Sequence, residues 1–111
     1  MKKTVFKGTA TALITPFHNG KIDIHKFKEL IDHQIENNID AIVVCGTTGE
    51  APTLDDAEHI VLIDTAVKHV KGKIPVIAGT GSNNTAHALY MSKKAYECGA
   101  DALLSVTPYY N

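Results

Sequence analysis

The sequence predicts an α/β protein built around a parallel sheet. Four short apolar runs, at residues 10–14, 41–45, 74–78 and 102–106, alternate with three longer amphipathic segments. The run at 41–45 is apolar at every position, which is typical of a strand in a sheet covered on both faces. The resulting βαβαβαβ order implies right-handed crossovers between parallel strands. Doubly wound sheets and closed barrels both have this order, and four strands alone do not distinguish them.

The first helix is expected to begin after Asp23, a good N-cap, and to end at Asn37 and Asn38. Its apolar residues share one stripe: Ile24, Phe27, Leu30, Ile31 and Ile35. The third helix is expected to begin near Asn84 and to end before Gly99, a glycine in the C′ position. Its predicted stripe is Ala88, Leu89, Ser92, Ala95 and Tyr96.

The second helix is expected to begin at Thr53, with Asp56 three residues on as a shortened capping box. Its predicted stripe is interrupted by an aspartate and consists of Ala57, Ile60, Val61, Asp64 and Val67.

Composition excludes several classes of protein. The 111 residues carry a net charge of -1, so no basic field exists to bind nucleic acid. No apolar stretch approaches the ~20 residues of a membrane span, and Lys7 and Gly8 interrupt the N-terminal run that a signal peptide would need. The two cysteines, Cys45 and Cys98, have neither metal-ligand spacing nor a disulfide framework. A reduced, cytoplasmic protein is the simplest interpretation.

The candidate site lies at the carboxyl ends of the predicted strands, where parallel α/β sheets place their chemistry. Thr15, then residues 46–50, 79–83 and 107–111, bring hydroxyls, glycines and two tyrosines to this edge. Glycines let backbone N–H groups approach a small anion, and tyrosines can relay protons. This pattern indicates a site for a small carboxylate, although each feature alone also fits an ordinary turn.

The sequence does not support a dinucleotide-binding loop, a zinc site or a cysteine nucleophile. Residues 79–84 nearly match the dinucleotide pattern G-x-G-x-x-G, but Asn84 replaces the third glycine. The six histidines contain no i, i+4 pair, so a zinc helix is unsupported. Cys45 ends a buried strand and is interpreted as a core residue.

Three motifs resemble the dihydrodipicolinate synthase family: Gly-Thr-Thr-Gly-Glu at 46–50, Pro-Val-Ile-Ala-Gly-Thr-Gly at 75–81 and Val-Thr-Pro-Tyr-Tyr-Asn at 106–111. The resemblance implies the N-terminal half of a (β/α)8 TIM barrel. Residues 1–111 would form part of one barrel domain, without the remaining barrel and C-terminal helices. The resemblance also implies a class I aldolase-type lyase of lysine (diaminopimelate) biosynthesis that condenses pyruvate with aspartate 4-semialdehyde. The family forms a Schiff base on a lysine and uses no metal or organic cofactor.

The resemblance assigns roles to individual residues. Thr47 takes the hydroxyl position of a proton relay, and Thr48 with its neighbouring amides holds the pyruvate carboxylate. Tyr110 takes the position of the relay tyrosine that a neighbouring subunit inserts, which implies a dimer or a tetramer. His59, Asn83 and Tyr109 match the family's lysine-feedback cleft.

Ala51, Asp56 and His87 depart from the feedback cleft of strongly inhibited members, with His87 standing where a glutamate would receive the lysine ammonium. The expected consequence is weak or absent inhibition by lysine.

Two sets of alternatives remain open. N-acetylneuraminate lyase and keto-deoxy sugar acid aldolases share these loops, although Thr47-Thr48 and the 108–111 run favour the synthase. The Schiff-base lysine of the family lies on a later strand, and no lysine of this chain sits at the carboxyl end of a strand. The chain is therefore either the opening segment of a working lyase, inactive alone, or a non-catalytic half barrel.

Overall fold

The computed structural model describes residues 3–110. Its strands are β1 (Ala10–Ala12), β2 (Phe17–His18), β3 (Lys21–Ile22), β4 (Ala41–Val44), β5 (Val76–Gly79) and β6 (Ala102–Leu104). Its helices are α1 (Ile24–Glu36), α2 (Asp56–Val70) and α3 (Thr85–Cys98), with a short 3-10 turn at Ala51–Thr53.

Strand order identifies the sheet as part of a barrel. The four parallel strands lie in the order β1-β4-β5-β6, so each new strand is added on the same side of the last. A doubly wound sheet would reverse direction at a switch point. Helix α2 contacts both α1 and α3, so the helices form one layer on a single face. The predicted half of a (β/α)8 barrel is confirmed.

The hydrophobic core lies between the sheet and this helix layer. Ile42 and Val44 of β4 and Val76 and Ala78 of β5 contribute to it from the sheet. The helices contribute Phe27, Ile31, Leu62, Ile63, Ala66, Val70 and Ala95. The alternate strand residues, such as Val43 of β4, point to the other face, which is the inside of the barrel.

Helix α1 matches its prediction. The Asp23 carboxylate accepts from the Lys26 amide at 2.9 Å, and Asn37 is the C-cap. Phe27 and Ile31 of the predicted stripe are fully buried.

The predicted start of α2 is wrong. Asp55 is the N-cap, and it exchanges hydrogen bonds with Glu58 in a complete capping box. Thr53 belongs to the preceding 3-10 turn, where its hydroxyl donates to the Glu50 carbonyl at 2.9 Å. Thr53 lies two residues before the N-cap, so its hydroxyl does not cap α2. It bonds to the Glu50 carbonyl instead of to an amide of the helix.

The predicted stripe of α2 is mostly wrong, since only Val67 of its residues packs against the hydrophobic core. The buried face carries His59, Leu62, Ile63, Ala66 and Val70, whereas Val61 of the predicted stripe is 45% exposed. Residues 60–63 are all apolar, so the pattern itself does not identify which side of the helix is buried.

Helix α3 has the predicted ends and only part of the predicted stripe. Asn84 caps the His87 amide, and Gly99 takes the left-handed C-cap with φ 98°. Ala95 is buried as expected, together with Met91, whereas Leu89 and Tyr96 are exposed.

Two further features differ from the prediction. The last strand ends at Leu104 instead of Val106. A small antiparallel hairpin, β2–β3, lies between β1 and α1, and its turn residues Asn19 and Gly20 have φ values of 51° and 78°. The hairpin carries the chain from the end of β1 to α1, since the Asp23 amide donates to the Pro16 carbonyl at 2.8 Å.

Candidate active site

The loop after β4 is a compact turn that presents two threonines. Cys45 adopts a left-handed conformation, φ 60°, and turns the chain sharply where the strand ends. The Gly49 amide then donates to the Gly46 carbonyl at 3.1 Å, and the Glu50 amide to the Thr47 carbonyl at 2.9 Å. Thr47 itself is exposed, as is the residue that follows it. We call residues 46–50 the threonine loop.

Two glycines bring the strand ends into close contact. A Cβ on Gly79 would overlap the carbonyl group of Cys45, and a Cβ on Gly81 would overlap the backbone of Val106. Backbone atoms of adjacent strand ends therefore occupy the space that side chains would need. The carboxyl ends of β4, β5 and β6 meet at one edge of the sheet, as predicted for parallel strands.

A cavity of about 550 Å³ lies at this edge of the sheet. Its polar lining consists of backbone at the glycines and of hydroxyl, amide, imidazole and carboxylate side chains, whereas its apolar lining includes Met91, Leu104 and Val106. Four of the predicted site residues line it: Thr47, His59, Asn83 and Tyr109. Thr48 and Tyr110 do not line it, and Tyr110 is 93% exposed. Asn111 of the last motif lies outside the described residues.

His59 is the buried polar group of this cavity. Its Nε2–H donates to the Gly79 carbonyl at 2.7 Å, which links α2 to the end of β5. Burial lowers the pKa of His59, and the Gly79 hydrogen bond opposes that shift only in part. The ring is therefore neutral near pH 7.

Asp56 and His87 form a hydrogen-bonded pair beside His59 that the sequence did not reveal. The Asp56 carboxylate accepts from His87 Nε2 at 2.7 Å, and His87 Nδ1 lies 3.3 Å from the Ser82 hydroxyl. The two partners are 31 positions apart, but each lies in the first turn of a helix that follows a parallel strand. Adjacent strands place such turns side by side, and that is the signal that could have predicted the pair.

Groups for covalent or metal chemistry are scarce in this region. No lysine lines the cavity in the described part of the chain. Burial raises the pKa of the Cys45 thiol to about 12, so this cysteine is an inert core residue, as predicted. Across residues 3–110, no cluster of three or more His, Cys, Asp or Glu residues is placed to hold a metal ion. The same residues contain no helix that is long and apolar enough to span a membrane.

Comparison with known proteins identifies the family. The model of the dihydrodipicolinate synthetase family matches residues 5–111. The chain is similar to 4-hydroxy-tetrahydrodipicolinate synthase of Geobacter metallireducens, with 56% identity over 107 residues, which is 96% of this chain and 37% of that protein.

Solved structures agree. Dihydrodipicolinate synthase from Aquifex aeolicus has a TM-score of 0.93 at 50% identity, covering 95% of this chain and 36% of that one. The chloride-inhibited enzyme from Acinetobacter baumannii, complexed with pyruvate, has a TM-score of 0.92 at 42% identity, covering 96% and 37%. The chain thus spans a little over a third of the relatives that it matches. It belongs to the dihydrodipicolinate synthetase family and corresponds to the N-terminal portion of its members.

Proposed function

We propose that this chain is the N-terminal part of a Schiff-base-forming lyase that condenses pyruvate with aspartate 4-semialdehyde in lysine biosynthesis. The observation that carries the proposal is the threonine loop, with Thr47 facing a cavity formed where parallel strands end. The pyruvate bound to the Acinetobacter baumannii relative supports the same substrate here.

Two neighbouring hydroxyls have different proposed tasks. Thr47 lines the cavity and relays protons during the reaction. Thr48, with the amides beside it, binds the carboxylate of pyruvate, since a cluster of N–H and O–H donors is suited to a small anion. Residues 46–50 carry no positive charge of their own, so binding rests on hydrogen bonds.

Residues 1–111 are proposed to be inactive alone. Imine formation needs a lysine whose amine is deprotonated in a desolvated pocket. Lys26 and Lys68 have the opposite environment, because both are exposed and paired with a carboxylate. Glu29 raises the pKa of Lys26, and Asp64 raises the pKa of Lys68. Such amines stay protonated at neutral pH.

The rest of one barrel domain is proposed to cover the free edge of the sheet. Leu103 and Leu104 of the outermost strand β6 are about half exposed, at 46% and 51%. A barrel closes its sheet and removes such edges. Tyr110, at 93% exposure, is free to reach a neighbouring subunit, which supports a dimer or tetramer as the working form.

A chimera tests the proposal. Residues 1–111 replace the matched segment of the Geobacter metallireducens relative, which supplies the remainder of the barrel; we call this protein the complete chimera. Incubation with pyruvate and borohydride should leave one reduced pyruvyl group on the protein, read by intact mass. Thr47→Val should lower kcat by about 10²-fold or more with the adduct still forming. Thr48→Val should instead raise the pyruvate concentration needed for half-maximal adduct. A folded complete chimera that forms no adduct would refute the proposal.

A further inference from the structure

The hydroxyl of Thr15 is buried three residues after the end of β1 and contacts the threonine loop. Thr15 is only 4% exposed, and its Oγ1 donates to the Gly49 carbonyl at 2.6 Å. The bond joins residues 34 positions apart and ties the end of one strand to the loop that follows its neighbour. A buried hydroxyl with a short bond to a distant backbone group is a structural constraint on that group.

Gly49 is pressed against β1 and β4 at the same point. A Cβ on Gly49 would lie 3.2 Å from the Leu13 carbonyl oxygen and 3.3 Å from the backbone of Cys45. The bonds within the loop run from amides to carbonyls at its start, from Gly49 to Gly46 and from Glu50 to Thr47. They close the turn but do not attach it to β1. The bond from Thr15 makes that attachment.

We propose that Thr15 is a positioning residue for pyruvate binding. Its hydrogen bond to Gly49 holds Thr48, the adjacent residue, and the nearby amides where they receive the pyruvate carboxylate. Thr15 itself touches no substrate. This inference rests on the proposed function of the threonine loop.

The hydroxyl group of Thr15, and not the volume of its side chain, positions the threonine loop. Valine has nearly the shape of threonine, so Thr15→Val keeps the packing and removes the donor. The Gly49 carbonyl then lies in a buried position without its partner, and the loop shifts toward another donor. Thr15→Ser keeps the donor. Small displacements of binding groups are costly, because a site must be held within about 0.5 Å of its productive geometry.

The chain offers a matched control in the 3-10 turn that follows the threonine loop. Thr53 also donates its hydroxyl to a loop carbonyl, that of Glu50 at 2.9 Å, but this bond is exposed. Water can replace it, so Thr53→Val tests the loss of a threonine hydroxyl without the loss of a buried anchor.

The experiment measures how adduct formation depends on pyruvate concentration in the complete chimera. Thr15→Val should raise the half-saturating pyruvate concentration on the order of tenfold. Thr15→Ser and Thr53→Val should stay within about twofold of the unsubstituted protein. The KM for aspartate 4-semialdehyde should not change in any of the three, because the proposed bond positions only the loop that binds pyruvate.

Unchanged pyruvate dependence in folded Thr15→Val overturns the inference, as does an equal loss in Thr15→Ser. If Thr15→Val does not fold, Thr15→Ala makes the same test, because it also removes the hydroxyl that donates to Gly49. Folded Thr15→Ala with unchanged pyruvate dependence would overturn it too. All of these comparisons require that the unsubstituted chimera forms the adduct. If it does not, the proposed function fails; if it does, the variants test the role of Thr15 alone.

Discussion

Adding one methyl group at Gly79 should destabilise the barrel by a predictable amount. The alanine Cβ would overlap the Cys45 carbonyl and lie 3.0 Å from the Cα of Gly46. All of these are backbone atoms of a neighbouring strand end, and Gly79 is buried, so no flexible side chain can move aside. Gly79 is not among the glycines with positive φ, so the cost comes from the clash.

The magnitude follows from the nature of the contact. Overpacking a buried site costs about 1–3 kcal/mol, and a clash with backbone belongs at the upper end of that range. About 3 kcal/mol corresponds to a fall in Tm of roughly 6–12 °C in a domain of this class. Gly46→Ala is the matched control, since its Cβ meets only the Val43 side chain at an ordinary 3.4 Å. That change should stay within about 0.5 kcal/mol.

Thermal unfolding of the complete chimera by circular dichroism measures the difference. Both variants are compared at one protein concentration and one scan rate, because oligomers and irreversible unfolding make Tm depend on both. A Gly79→Ala protein whose Tm lies within about 2 °C of the Gly46→Ala control would refute the reasoning.

Three further predictions concern the two cysteines, His59 and the pair of Asp56 with His87. Iodoacetamide at pH 8 should label Cys98 and spare Cys45 in the folded chimera, because burial raises the pKa of the Cys45 thiol to about 12; mass mapping that finds Cys45 labelled first would contradict this. Burial holds the pKa of His59 in the folded protein below its ordinary value of 6.5. The stability that this shift contributes is fully present above pH 6.5 and is lost as the pH falls through the pKa of the folded state. His59→Gln should therefore lose less Tm than the unsubstituted protein between pH 7 and pH 5, and equal losses would show that His59 is not responsible. Lysine should inhibit the chimera weakly, and the double substitution Asp56→His with His87→Glu should increase that inhibition. Both residues are changed because His87→Glu alone would place two carboxylates together. Strong inhibition of the unsubstituted chimera at low lysine would contradict the prediction.

Strand positions could be predicted from the sequence because buried parallel strands appear as short, continuous apolar runs. The choice between a barrel and a doubly wound sheet could not, because it depends on which strands are neighbours. That information comes from long-range pairing, such as Ile77 opposite Ala102, and no local pattern encodes it. The resemblance supplied it instead.

The errors in α2 have a physical cause. Four consecutive apolar residues at 60–63 allow two overlapping stripes, and the packing of α2 against β5 and α3 selects one of them. The hairpin at β2–β3 was a missed local signal, since Asn19-Gly20 is a strong turn pair for a two-residue hairpin.

The site was predictable where its residues directly follow strands. Thr47 and Tyr109 line one cavity, as expected from strand-end loops that share an edge. The contact of Asp56 with His87 was not predicted, although both residues lie in the first turns of helices that follow adjacent strands. The anchor from Thr15 to Gly49 depends in the same way on the close approach of β1 and β4.

Borohydride trapping with pyruvate, read by intact mass, tests the central claim most directly. The measurement is made in parallel on the complete chimera and on the 111-residue chain of 12.0 kDa. We predict a single pyruvyl adduct on the chimera, at a lysine beyond residue 111, and none on the short chain. An adduct on a lysine of the short chain, or none on the folded chimera, would contradict the account.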